Sequence, residues 1–500
     1  MDEKLNELKS IIYEISDINK ASAVLSWDQE TYMPKGSIND RANQLATLSK
    51  ISHQKFVSKE VGKLIAKAKN DVQKEAPDSD NSRLIKVLDR NYQKSVKVPS
   101  KLVLKMAKAS SLGQQTWARA REKSDFSLFE PYLKKTVELY REYAMIFKPY
   151  DHIYDTLLDD FEPGFKTADV KLIFGKLRTQ QIKLIKDIKD KPDIDDSFLF
   201  LKYDGQKQWD FGVDVITKFG YDWNRGRQDR STHPLTIDFG MNDVRITTRI
   251  NTKYLPTGLF GSMHEAGHAM YEQGIPLNLA RTPLGGGASL AIHESQSRMW
   301  ENLVGRSMPF WKYFYPVLQK TFPNQLANIK LFDFYKGINK VKPSLIRVEA
   351  DEATYNMHIM LRLEIEIALI EGSIEVKDLP EIWNKKMKEY LGITPENDAE
   401  GVLQDIHWSM GAIGYFSTYA IGNLVSAQLW ECINSDIPSL SNQIREGDFS
   451  ELLSWLRKNV HLHGAKFEPQ ELVQRITGSK ITPEPYIKYL NNKYSVIYDL

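Results

Sequence analysis

His264-Glu265-Ala266-Gly267-His268 is the stretch on which the reading of this chain turns. Its surroundings are apolar at helical spacing, and on a helix two residues four apart share one face, about one turn apart. Two imidazoles so placed can ligate one zinc ion, and the Glu between them is set to act on the water that such an ion activates. The pattern points to a metal-dependent hydrolase. Thr257 is the predicted N-cap, ahead of Gly258-Leu259-Phe260. Gly274 is the predicted stop, with Pro276 two residues beyond. Both histidines then fall inside the helix. Gly267 sits mid-helix, where glycine costs about 1 kcal/mol relative to alanine. Its missing side chain points either to a segment that approaches the metal closely or to a neighbouring helix that simply packs there.

A catalytic zinc takes three protein ligands and keeps one position open. One class of zinc peptidase adds Gly three residues and His six residues past the second histidine. Tyr271 and Gly274 stand at those positions here, which excludes that class. A Glu from a later helix is the other common solution. The best candidate is Glu294, in Ala291-Ile292-His293-Glu294-Ser295-Gln296-Ser297-Arg298, reached through the loop Gly285-Gly286-Gly287. His293 is a rival ligand. Glu272 is too close in sequence to return easily to the same metal.

Outward from the motif, helical periodicity dominates, as at residues 5–18, 133–147, 170–188, 355–369 and 413–430. The clearest strand pattern spans 236–250, with Gly240-Met241-Asn242-Asp243 as the turn of a hairpin. The polar stretches 71–83 and 189–197 read as loops. The fold class is therefore mainly α, with a small β element just before the motif helix. With 67 basic and 65 acidic residues the net charge is only +2, which argues against nucleic acid or a membrane surface as partner. No stretch approaches the ~18 consecutive apolar residues of a membrane span. The start of the chain lacks the apolar core of a signal peptide, and Cys432 is the only cysteine, so a cytoplasmic location is expected.

Ordered blocks along the chain carry a resemblance. Ser26-Trp27-Asp28-Gln29-Glu30-Thr31 and Leu158-Asp159-Asp160-Phe161-Glu162-Pro163-Gly164 lie towards the N-terminus. Asp243-Val244-Arg245-Ile246-Thr247, the His-Glu-x-Gly-His helix and His293-Glu294-Ser295-Gln296 follow. Ile346-Arg347-Val348-Glu349-Ala350-Asp351 and Gly401-Val402-Leu403-Gln404-Asp405-Ile406-His407-Trp408 complete the series. Over nearly its whole length the chain resembles the carboxypeptidase Taq family of zinc metallocarboxypeptidases. The resemblance implies a neurolysin-like helical fold with two halves flanking a deep groove. It implies zinc on His264, His268 and Glu294, with Glu265 as general base; one ion per subunit is expected, and a nitrogen and oxygen ligand set also admits Co2+ or Mn2+. It also implies a homodimer that removes residues stepwise from peptides with a free C-terminus. Residues 1–500 are expected to form one catalytic unit, with a helical part over 1–200 and the zinc- and substrate-binding part over 201–500. Two departures stand out: Leu235 after His233-Pro234, where Phe is common, and Ser417 in Gly414-Tyr415-Phe416-Ser417, where Pro is usual.

The oxyanion of the tetrahedral intermediate needs donors beyond the metal. His407, Tyr415 and Tyr419 are the candidates, the two tyrosines sharing a face if helical. An enzyme that cuts at the C-terminus must read a carboxylate, which arginine does best. Arg347 leads, followed by Arg245, and His233 joins them as a substrate-binding position. Asp351 and Gln404 are candidates to orient the ligands or Arg347. The expected activity is release of single C-terminal amino acids with broad specificity. An oligopeptidase or dipeptidyl carboxypeptidase on the same fold is the alternative, and a non-catalytic peptide-binding scaffold is the alternative from another class.

Overall fold

The computed structural model describes residues 2–500. The apolar repeats fall on helices Asp2–Thr31, Glu130–Met145, Thr167–Lys189 and Tyr355–Glu371. The polar stretches 71–83 and 189–197 hold the breaks that follow Val72 and Lys189. Among the described residues, no helix is long and apolar enough to cross a membrane.

The chain builds two compact units, each from three separate stretches. The first contains the chain up to Val96, Asp195–Ile338 and Leu429–Gly478. At its centre lies helix Pro256–Gly274, which carries the motif. It packs against helices Gly205–Phe219 and Leu290–Arg298 and against the sheet. Phe219, Trp300, Phe310, Phe314 and Phe449 form an aromatic cluster in the same core, with Phe219 and Trp300 centroids 4.5 Å apart. Each such buried ring contributes about 1.5–3 kcal/mol. The motif helix begins at Pro256, one residue before the expected cap Thr257, because proline's fixed φ and missing N–H suit the first helical position. It ends at Gly274, as expected.

The sheet has three strands in the order β1-β3-β2: β1 (Gln228–Arg230), β2 (Thr236–Asp238) and β3 (Val244–Thr248). β2 and β3 form the predicted hairpin, its turn closed by the Phe239 amide donating to Asp243 O at 2.8 Å, and β3 ends at Thr248, short of 250. β1 runs parallel to β3 and is an addition. It has three polar residues, too few to show an alternation.

The second unit contains Lys97–Ile194, Asn339–Gln428 and Ser479–Leu500. Its central element is helix Tyr355–Glu371, of whose 17 residues only Glu364, Ala368 and Glu371 escape full burial. A helix apolar all round belongs at the middle of a core. His358, Arg362 and Glu366 interrupt it at four-residue steps and so share one stripe. The repeat at 413–430 is only partly helical. Gly411 and Gly414 take positive φ, and the helix starts at Ser417 and runs to Asp436.

Candidate metal centre

In the first unit, His264 and His268 leave the motif helix on one face, their rings 4.9 Å apart. Glu294 comes from helix Leu290–Arg298, started by Ser289, whose hydroxyl accepts from the Ile292 amide at 3.2 Å. Glu294 Oε2 stands 3.6 Å from His264 Nε2 and 3.4 Å from His268 Nε2. Ligand atoms about 2.1 Å from one tetrahedral ion lie about 3.4 Å from each other. The three donors thus already have the spacing of a coordination shell, and among the described residues they are the group with metal-binding geometry.

Gly267 explains how the helices come this close. A Cβ there would lie 2.7 Å from Ser297 Cα and 2.8 Å from Gln296 O. The segment that approaches is a packed neighbouring helix, and it is the helix that carries Glu294. Both readings of the glycine therefore describe one contact.

A second layer fixes the ligands. His264 Nδ1 meets Glu301 Oε2 at 2.9 Å, and His268 Nδ1 meets His293 Nδ1 at 2.7 Å. Glu301 sits on a π-helical turn, Met299–Val304, a distortion common at functional sites. Arg298 Nε donates to Glu294 Oε1 at 2.6 Å, and Arg306 stands 3.7 Å from Glu301. Burial alone would raise Glu294, but Arg298 and the two histidines outweigh it and hold the carboxyl well below its ordinary range. Glu294 and Glu301 pair with the guanidinium groups of Arg298 and Arg306, while Glu265 accepts from Thr236 and Glu272 meets His293. That buried excess of negative charge fits a divalent cation.

Glu265 is buried, and burial raises its carboxyl. Its Oε2 accepts from the Thr236 hydroxyl at 2.6 Å. Thr236 opens β2, so the sheet's contribution is to aim this carboxylate. His293 lies outside the His264, His268 and Glu294 group, its two ring nitrogens facing His268 and Glu272. Arg245 makes a two-point pair with Asp243, both contacts 2.8 Å, and lies over Trp27 and Phe239. His233 is exposed next to the sheet.

The second unit gathers the other predicted residues. Arg347 is buried, its NH2 2.9 Å from Asp405 Oδ1 and its NH1 donating to Tyr355 Oη at 3.0 Å. Arg362 reaches the other oxygen of Asp405, with Nε at 2.7 Å. Burial would raise Asp405, but the two arginines hold it far below its usual value. Burial, with the two guanidinium charges, lowers His407 to about 4 against the pull of Asp405. Tyr419 Oη is 3.5 Å from His407 Nε2, and the Tyr415 and Tyr419 rings are 5.3 Å apart. Tyr415 lies in the turn before the helix, so the tyrosines meet without sharing a helical face. Gln404 accepts from the Arg347 backbone amide at 2.9 Å, positioning its main chain. Asp351 instead closes the turn into helix Tyr355–Glu371 by accepting from the Ala353 and Thr354 amides.

A family model described as carboxypeptidase Taq (M32) metallopeptidase matches residues 7–494. The chain belongs to the M32 family. It is 38% identical to thermostable carboxypeptidase 1 of Thermus thermophilus over 97% of each chain, and 38% identical to carboxypeptidase 1 of Bacillus subtilis over 98% of each. The crystal structure of an M32 carboxypeptidase from Deinococcus radiodurans superposes with a TM-score of 0.97 at 36% identity, covering 99% of this chain and 100% of that one. This M32 protein is a metal-dependent carboxypeptidase, a hydrolase of C-terminal peptide bonds, in the helical fold with a small sheet that the sequence predicts.

Its two departures leave the M32 architecture in place. Leu235 keeps its backbone tie, the amide donating to Thr247 Oγ1 at 3.0 Å. Ser417 stands at the first helical position, where proline is favoured, and its hydroxyl donates to Gly414 O at 3.2 Å. Sequence reasoning missed Glu301, Thr236, Arg362 and Glu366. Glu301 lies seven residues after Glu294 and Arg362 four after His358, spacings that place each pair on one helical face. Thr236 has no comparable signal.

Proposed function

We propose that this carboxypeptidase works with zinc on His264, His268 and Glu294 and reads the substrate's terminal carboxylate with Arg347. The observation that carries the second half is the charge balance around Asp405: two buried guanidinium groups, Arg347 and Arg362, share one carboxylate. An unbalanced buried cation calls for an anion, and a peptide's C-terminus supplies one.

Zinc, when bound, acidifies a water and polarises the scissile carbonyl. Glu265 takes the proton of the attacking water on the carboxylate that Thr236 holds, and then delivers it to the leaving amine. His407, Tyr415 and Tyr419 donate hydrogen bonds to the oxyanion, Arg347 holds the carboxylate, and Arg245 and His233 contact the substrate farther out. Residues 1–500 act as one catalytic unit in a cytoplasmic homodimer, with one zinc per subunit and Co2+ or Mn2+ as substitutes, since nitrogen and oxygen ligand sets accept several divalent ions. Specificity for the last side chain is broad.

Peptides identical except for a free or amidated C-terminus test the reading. The free acid is expected to lose one residue at a time while the amide stays intact. Cleavage of the amide at the same rate would refute the carboxylate reader and favour an oligopeptidase, and release of two residues at a time would favour a dipeptidyl carboxypeptidase.

A further inference from the structure

We propose that His293 and Glu272 form a relay behind His268 that sets how tightly the centre holds its metal, and that Gly287 seats the relay. The inference rests on the ligand set proposed above. An imidazole that ligates through Nε2 carries its proton on Nδ1, and the partner of that N–H fixes the tautomer and the ligand's basicity. His264 uses a carboxylate directly, Glu301 Oε2 at 2.9 Å. His268 does not: its Nδ1 faces another imidazole nitrogen, His293 Nδ1, at 2.7 Å. Two nitrogens at that distance share a single proton. With the proton on His268, His293 Nδ1 must accept, so His293 keeps its own proton on Nε2. That nitrogen lies 2.7 Å from Glu272 Oε1, an acceptor. Every donor and acceptor in the chain is matched, and the Glu272 charge reaches His268 through one intervening ring.

The ring of His293 packs beside Tyr271 and Gly287. Tyr271 lies 5.1 Å from it, with its own hydroxyl accepting from the Ala288 amide at 3.2 Å. A Cβ at Gly287 would stand 2.7 Å from His293 Cδ2 and 3.1 Å from Tyr271 Cε1. The glycine-rich loop thus does more than connect two helices, because its last glycine leaves room for the ring. The two ligand histidines are supported unequally, one by a carboxylate directly and one at a remove.

The test is zinc affinity of the metal-free protein, measured by competition with a chromogenic chelator. Loss of such a partner costs typically 10–100-fold in metal affinity, so His293→Leu is expected to weaken zinc binding by about that factor. His293→Gln should recover most of it, since the amide oxygen can accept from His268 while its N–H donates to Glu272. Glu272→Gln, which keeps an acceptor and removes the charge, should fall between. Gly287→Ala should resemble His293→Leu without touching a ligand. Wild-type affinity in His293→Leu would overturn the relay, as would a His293→Gln protein as weak as the Leu variant. Should His293→Leu not fold, Glu272→Gln decides, and unchanged affinity there overturns the proposal. His264→Ala separates the two readings: if it still binds zinc at wild-type strength, the ligand assignment has failed rather than the relay alone.

Discussion

Gly267→Ala is the smallest change that should separate metal binding from folding. The added carbon would stand 2.7 Å from Ser297 Cα and 3.0 Å from Ser297 N. Carbon–carbon contact is favourable at about 3.5–4.0 Å, so the two helices must part by roughly 0.8 Å or more. The obstacle is backbone, and no rotamer change relieves it. Glu294 stands three residues before Ser297 on the helix that must move. Metal sites tolerate ligand displacements of about 0.2 Å, several times less than this shift. Overpacking costs about 1–3 kcal/mol, and alanine returns about 1 kcal/mol of helix propensity. The net loss of stability is therefore about 0–2 kcal/mol, which a large core survives. Zinc affinity should fall more than about tenfold, by analogy with lost supporting contacts. Urea unfolding and chelator competition on the same metal-free preparation measure the two quantities. A Gly267→Ala protein with wild-type zinc affinity and full turnover would refute the argument that this glycine sets the helix spacing.

Glu265→Gln should leave zinc content unchanged, as measured by mass spectrometry, and lower kcat by about 10²–10⁴-fold, the range for loss of a general base; surviving turnover would remove Glu265 from the mechanism. Arg347→Met should lower kcat/KM for free-acid peptides by about 30-fold or more, since breaking a buried charge pair costs about 2–5 kcal/mol, and Arg347→Lys should recover little because lysine lacks the two-point fork. Burial lifts the Glu366 carboxyl from an ordinary 4.5 to about 7, although Tyr154, Gly414 N and Trp408 donate to it. Between those values the folded protein keeps a proton that the unfolded chain has released, so stability falls as pH rises through about 4.5–7, by on the order of 3 kcal/mol. Glu366→Gln should flatten that slope in urea titrations, and an unchanged slope would mean that Glu366 is not its source.

The motif helix and Glu294 are legible in sequence because their geometry is local. Four-residue spacing fixes one face, and a glycine loop plus a short helix is enough to bring a carboxylate back. Glu301 obeys the same rule but has no signature motif, and the π-helical turn that carries it leaves no mark in the apolar pattern. Arg362 and Glu366 show as polar interruptions, with His358, of an otherwise apolar helix, a pattern that a motif search passes over. β1 depends on parallel pairing with β3, and Thr236, though inside the predicted hairpin, reaches Glu265 29 residues on; neither contact is encoded by residue type or periodicity. The two compact units each draw on three stretches of chain, which no linear pattern displays. Alternation and spacing report on neighbours along the chain, whereas unit membership is decided by which buried faces meet.

The two polar clusters carry opposite electrostatic deficits, and this bears on specificity. In the first unit Glu294 and Glu301 pair with Arg298 and Arg306, and the further buried carboxyls Glu265 and Glu272 have no guanidinium partner among the described residues, so the protein offers negative charge where a divalent cation belongs. In the second, Arg347 and Arg362 share Asp405, the lowered His407 and His358 stay neutral, and Glu366, lifted to about 7, is only partly ionised, so the protein supplies net positive charge. Each ion taken out of water costs several kcal/mol unless it is paired. Both clusters are therefore completed only by a ligand of opposite sign. For the second cluster the complement proposed above is the substrate's terminal carboxylate. On this reading the restriction to C-termini is set by charge, and the terminal residue's side chain does not enter that balance. If Arg347 reads the terminal carboxylate as proposed, refusal of amidated peptides is the outcome expected of two arginines arranged around one aspartate.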